Sequence, residues 1–378
     1  MRRLLTIVLP ALLFASCDTV NDSNPASSLK DIVVLDAVVP HDRYVELLSN
    51  RWSDEEVPVD LYTEGSRLRG TLEAQGAGSR YHARWSFKLE LEEGSTLQGL
   101  NVSNLSAQIF DDSRLRTLLA TEVFSALGFF TFDFHPVFLK VNNRNFGLYL
   151  QIERFERPWF ERRGVAVSEL IKCGFGARFS YEDGLHLAKY FEKEIPDDDN
   201  LNNFGDFIRA LDAADPDHIF ADVGHMLDIP QYLRYHAASS VLNHVDGFTN
   251  NLFFYRDSPN EPYRVIPWDF DKLMYEPNDV GLMGGNDIIW KLLQNDSCVT
   301  LYKQELWHII DSVIVPERIF PVLDAFAERI SAAHELDPEL GESGINLGHE
   351  SNRLKTYLMQ RRLFFRNNIA TITRLPRQ

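Results

Sequence analysis

Between residues 84 and 91 polar and apolar side chains alternate without a break. Trp85, Phe87, Leu89 and Leu91 fall on one face, and Arg84, Ser86, Lys88 and Glu90 on the other. A period of two predicts a half-buried strand. Shorter apolar runs at 32–35, 44–48 and 57–61 also read as strands, so residues 31 to about 110 are expected to be mostly β. A helical pattern follows from Ser113, a good N-cap, to Leu127, where Gly128 stops it. Two apolar runs, 136–141 and 146–152, flank Asn142-Asn143-Arg144-Asn145 and predict a hairpin. Beyond Glu156 the spacing turns helical, over about 201–213, 228–243, 287–313, 316–336 and 347–370. A strand pair at 252–256 and 263–266 interrupts it. The chain therefore reads as α+β, with a β-rich first part holding one helix and a mostly helical second part, two lobes with a cleft between them.

The start of the chain follows a different logic. Arg2-Arg3, the apolar run Leu4 to Phe14, and Phe14-Ala15-Ser16-Cys17 have the order of an export signal ending on a cysteine. The box resembles a bacterial lipoprotein signal, which implies that residues 1–17 are a leader, that Cys17 carries lipid, and that the protein is anchored in the bacterial cell envelope, on the periplasmic or outer side. A cleaved secretory signal with an incidental cysteine is the other reading. The run is too short to span a bilayer, and no later apolar run approaches about 18 residues, so lipid is the expected membrane contact. Asp18 to Ser28 is too polar to pack, and residues 18–30 read as a tether. The whole chain carries a formal charge of −17. Nucleic acid is thereby an unexpected partner, because phosphate backbones need a basic footprint. Cys173 and Cys298 could pair in an oxidising compartment or stay as buried thiols.

The chemistry-bearing stretch is Asn243-His244-Val245-Asp246-Gly247-Phe248-Thr249-Asn250-Asn251, followed by an apolar run and then Trp268-Asp269-Phe270-Asp271. An Asp with an Asn five residues later, and an Asp at the end of a following strand, is the layout of protein-kinase-type phosphoryl transfer. Singly, Asp246-Gly247 reads as a turn and Asn251 as a strand cap.

Five pieces in order resemble the spore-coat protein H (CotH) kinase family, secreted atypical protein kinases. They are Gly76-Ala77-Gly78-Ser79-Arg80 leading to Arg84-Trp85-Ser86-Phe87; Asp112-Ser113-Arg114-Leu115-Arg116; Val141-Asn142-Asn143-Arg144-Asn145-Phe146-Gly147-Leu148-Tyr149; Val245-Asp246-Gly247-Phe248; and Trp268-Asp269-Phe270-Asp271. The resemblance implies an atypical protein-kinase-like bilobal fold. Residues 31–155 would form the nucleotide-binding lobe, and 156–378 the lobe with catalytic loop 244–251 and metal-binding stretch 268–271. It implies transfer of the ATP γ-phosphate to Ser or Thr hydroxyls of a protein substrate, with Mg²⁺ or Mn²⁺. Asp246 would orient the hydroxyl and take its proton, and His244 would brace the loop. Asn251 and Asp269 would be hard oxygen ligands, with Asp271 as a second-metal ligand or a backbone partner. Lys88 or Arg84 would contact phosphate, Glu122 would pair with the cation, and Gly76, Gly78, Ser79 and Arg80 would cover the phosphates. Leu150 to Phe155 would be the hinge whose backbone reaches adenine. Where the family shows a Lys-Lys pair, this chain has Arg84-Trp85, and guanidinium and ammonium differ in geometry. That departure keeps a second class open: a non-catalytic kinase-like surface protein for adhesion or envelope assembly. A kinase for a small molecule or glycan is a third.

Overall fold

The computed structural model describes residue 29 and residues 31–377, apart from 77, 183, 276–278 and 342. The signal segment, Cys17 and nearly all of the tether lie outside the described residues. Seven strands form a closed barrel: β1 (Val33–Val38), β2 (Val57–Thr63), β3 (Ser66–Gln75), β4 (Ser86–Leu91), β5 (Val102–Ser106), β6 (Phe134–Val141) and β7 (Arg144–Glu153). Their order is β1-β2-β3-β4-β5-β7-β6, and the ring closes through a parallel pairing of β1 with β6, Val33 opposite Val137 through Ala37 opposite Val141. The alternation in β4 has its expected cause. Phe87, Leu89 and Leu91 are buried in the barrel with Leu35, Leu61, Leu72, Leu105 and Leu139, while Ser86, Lys88 and Glu90 stay partly open on the outer face.

A second, larger core is built on a four-stranded sheet, ordered β11-β10-β8-β9, with β8 at Glu169–Cys173, β9 at Phe191–Ile195, β10 at Leu252–Arg256 and β11 at Arg264–Pro267. The helices Asn202–Ala213 and Ile229–Val241 cover it through buried rings, with Phe204 at 5.3 Å from Phe254 and 5.4 Å from Tyr263. Mixed α+β architecture is what the hydrophobic pattern predicts, and the hairpin β6–β7 and the pair β10–β11 lie where it placed them.

Several elements differ. The run 44–48 is the middle of a helix, His41–Ser49, entered at Pro40 with Asp42 in its first turn and an Arg43–Glu46 ion pair at 2.7 Å. Five residues are too few to separate a strand from a helix face on which Tyr44, Leu47 and Leu48 stand three and four apart. The β-rich part therefore holds two helices among its described residues, the second being Arg116–Ala126. β3 escapes the pattern because its inward positions include Gly70 and Ala74, and β5 because Ser and Asn separate its apolar residues. β8 and β9 lie in the region read as helical. The expected helix 287–313 is broken near Asn295, whose side chain accepts hydrogen bonds from the N–H groups of Ser297 and Cys298 and caps a new helix, Asp296–His308.

Candidate active site

The helix Ile229–Val241 is capped by Asp228, whose carboxylate accepts from the Gln231 N–H at 3.0 Å. Its other end delivers Asn243, with φ +49°, and then a short turn, Val245–Phe248. The N–H groups of Asn250 and Asn251 both donate to the Asp246 carbonyl, at 3.0 and 3.1 Å, folding the loop back on itself. β10 and β11 then do the joining. With Leu252 opposite Pro267, the Trp268 N–H donates to the Asn251 carbonyl at 3.1 Å, and the Asn251 Nδ2 donates to the Asp269 carbonyl at 3.1 Å. A hairpin thus brings residues 18 apart in sequence to one place.

His244 is buried, its ring 5.5 Å from that of Phe270, and burial pushes its pKa down to about 4. It is a neutral packing group at physiological pH, as a bracing role requires. Gly247 lies flat on this ring. A Cβ there would stand 2.1 Å from the His244 Cδ2. The turn is also held from outside, by Tyr235 donating to the Gly247 carbonyl and Asn286 Nδ2 donating to the Phe248 carbonyl at 2.6 Å. Gly247→Ala is therefore expected to cost about 1–3 kcal/mol by overpacking, read by urea denaturation. It should displace Asp246 with the turn and so lower any phosphoryl transfer.

The electrostatics converge on one cation. Lys272 Nζ is 3.0 Å from the Asp246 carboxylate and lies 4.5 Å above the Phe110 ring. Burial works against its charge, but Asp246, Asp271 and Asp269 together raise its pKa. Asp269, in the left-handed region at φ +52°, has its carboxyl raised to about 6, by burial first and then by the negative charge of Asp246. The Asp269 side chain remains exposed to water. The Asp271 carboxyl is raised well above its ordinary value by burial and then by Asp269. Arg116 binds this loop to the barrel side, donating to the carbonyls of Asp271 at 3.0 Å and Phe110 at 2.8 Å. The Asp111 carboxylate accepts from the Arg116 N–H at 2.8 Å and from Ser113, starting the helix.

Three carboxylates facing one ammonium leave negative charge uncompensated, and their hard oxygens with the Asn251 amide suit Mg²⁺. Among the described residues no three His, Cys, Asp or Glu side chains converge closely enough to hold a metal alone. The donor set fits an ion that arrives with oxygens of its own, from phosphate and water.

The residues expected on the phosphate side divide. Gly78 comes beside the site, since a Cβ on it would meet the Phe110 ring at 3.6 Å, whereas a Cβ on Gly76 would meet Ser79. Ser79 and Arg80 turn away. The Ser79 hydroxyl donates to the Gln75 carbonyl at 2.8 Å, and Arg80 is buried against Asp54 at 2.8 Å and the Ala74 carbonyl. Lys88 pairs with Glu90 at 3.1 Å and Glu56 at 3.6 Å, its neighbours on the outer barrel face, so its partners are not Glu122. Glu122 is half-buried on the helix Arg116–Ala126. Arg84 is buried, 2.6 Å from Asp337 and 4.5 Å from the Tyr149 ring centre, and donates to the Leu148 carbonyl. A guanidinium committed in this way holds the fold rather than a phosphate. The hinge expectation also changes, because residues 150–153 are in β7, laddered to β5 on one side and β6 on the other. Cys173 and Cys298 are both free and buried. Sequence reasoning missed Lys272, Phe110 and Asp337. Only Lys272 had a local signal, its place directly after Asp271.

The CotH kinase protein family matches residues 72–365, most of the chain. The chain belongs to the CotH kinase family. The match covers the whole Asp246-to-Lys272 cluster and begins inside β3, so β1 and β2 complete the barrel from outside it. The inner spore coat protein H of Bacillus subtilis (strain 168) is 23% identical over 342 residues, 86% of this chain and 94% of that protein. Among solved structures, the Shewanella oneidensis MR-1 toxin–antitoxin complex of HipA, HipB and operator DNA has a chain 12% identical, with a TM-score of 0.39 over 91% of this chain and 74% of that one. That score is too low to bear on the fold. Membership in the CotH kinase family supports a kinase-like function.

Proposed function

We propose that the chain is an exported, lipid-anchored CotH-type protein kinase of the bacterial envelope, bilobal, with the barrel as the smaller lobe. It would transfer the ATP γ-phosphate to Ser or Thr hydroxyls of an envelope or extracellular protein. The observation that carries this reading is the Asp246 carboxylate, partly open and held at 3.0 Å by Lys272, beside Asn251, Asp269 and Asp271. Asp246 would align the acceptor hydroxyl and take its proton, a role that a side chain fixed at hydrogen-bond reach can fill. Asn251, Asp269 and Asp271 would hold Mg²⁺ or Mn²⁺, which would neutralise phosphate charge. Gly76 and Gly78 allow backbone to come close to the phosphates beside Phe110. Labelled ATP with Mg²⁺ should phosphorylate the protein itself or a casein-like acceptor on Ser and Thr, and EDTA should abolish the label. No incorporation with either Mg²⁺ or Mn²⁺ would count against the reading.

A second reading, a non-catalytic kinase-like surface protein, draws on the commitment of Arg84 to Asp337 and of Lys88 to Glu90 and Glu56. Thermal denaturation separates the two. ATP with Mg²⁺ at 100 times its Kd stabilises a binding protein by about 2.7 kcal/mol, whereas a protein without a nucleotide site shows no shift.

A further inference from the structure

The kinase reading calls for a cation against the transferred phosphate, and among the described residues the barrel cations expected there are engaged elsewhere. Arg80 is committed to Asp54, Arg84 to Asp337, and Lys88 to Glu90 and Glu56. Arg116, which touches the acidic loop, pairs with Asp111 at 3.5 Å and donates to the carbonyls of Phe110 and Asp271. Lys272 is placed differently. Its ammonium meets the catalytic-loop carboxylate at 3.0 Å, rests over the Phe110 ring, and its side chain keeps 32% of its surface open. Gly78 faces the same ring, since a Cβ on it would meet Phe110 at 3.6 Å, so the ring has Gly78 and the ammonium as neighbours.

Resting on the kinase reading, we infer that Lys272 is the phosphate-facing cation of this enzyme, supplied by the acidic loop instead of by the barrel. An ammonium has three donors. Asp246 engages one, and the others are available to the γ-phosphate oxygens. In transfer, the acceptor oxygen bonds to the γ-phosphorus and its proton passes to Asp246. The bond to the bridging oxygen breaks, and its electron pair leaves on ADP. Charge on the phosphoryl oxygens during that exchange is what a fixed cation stabilises.

The test compares Mg²⁺-AMP-PNP with Mg²⁺-ADP, which differ at the γ-position, by calorimetric titration of the full-length protein. Wild type should prefer AMP-PNP. Lys272→Met should lose that preference by about 10- to 100-fold, the worth of a hydrogen bond to a charged group, while its ADP affinity stays put. Lys272→Arg should recover part of the preference, and Lys88→Met should keep all of it. An unchanged preference in Lys272→Met overturns the assignment. So does equal weakening of both nucleotides, which marks a merely structural role, or loss of the preference in Lys88→Met. Equal affinity of wild type for both nucleotides also overturns it. Wild type binding neither nucleotide instead overturns the kinase reading, and the Lys272 assignment with it.

Discussion

Asp246→Asn is expected to lower phosphoryl transfer by about 10²- to 10⁴-fold, the usual worth of a positioned proton acceptor, with little change in stability. The substitution keeps the size of the side chain and removes its charge and basicity. It also loosens Lys272, whose ion pair with Asp246 is half-open, with 32% and 22% of the two side chains exposed. Pairs of that kind contribute about 0–1 kcal/mol, so urea denaturation of the variant should nearly superimpose on wild type. The combination is diagnostic. Equal label incorporation by variant and wild type would remove Asp246 from the chemistry, and a large loss of stability would make it a structural residue.

The largest stability effect is expected far from that loop. Asp337 is fully buried and satisfies four donors. Its Oδ2 accepts from Arg84 at 2.6 Å and from the Leu148 N–H at 2.7 Å, and its Oδ1 accepts from the N–H groups of Glu339 at 2.9 Å and Leu340 at 3.1 Å. The approach is close enough to exclude any side chain at position 147. Gly147 has φ +86°, and a Cβ there would lie 2.3 Å from the Asp337 carboxylate. Asp337→Ala should cost about 3–5 kcal/mol, because it leaves the buried Arg84 guanidinium with only the more distant, exposed Glu339 carboxylate, at 3.6 Å, to face it. That is a large part of the 5–15 kcal/mol by which domains are stable, roughly. The double variant Arg84→Met with Asp337→Ala should regain part of the loss, since an apolar pair carries no uncompensated charge. A single variant as stable as wild type would show that the pair does not hold the two parts of the molecule together.

Those two sites explain what could be read from the chain alone. Asp246, Asn251 and Asp269 were legible because their convergence is local. One turn and one hairpin join them, and apolar runs at 252–256 and 263–266 announce that hairpin. The roles of Arg84 and Lys88 were not legible. A strand pattern says which face a side chain is on but not what meets it there. Arg84 finds its partner 253 residues away, with no signal in the intervening sequence. Lys88 finds Glu90 two positions on, a same-face neighbour that the alternation itself provides. Lys272 was the nearest miss. Its neighbours are written plainly in the motif, but only the path of the backbone after Asp271 decides that its ammonium turns toward Asp246. The helix at 41–49 shows the remaining limit, where Pro40 and Asp42 signal a helical start more reliably than the apolar run signals a strand.

The parallel closure of β1 onto β6 has a bearing on recruitment. A ring of strands with every main-chain ladder paired to a neighbour presents no open edge to an incoming polypeptide. A polypeptide therefore cannot extend the barrel by adding a strand to it, and any docking there would be read by side chains alone. The same closure removes a template for fibril-like stacking at high local concentration.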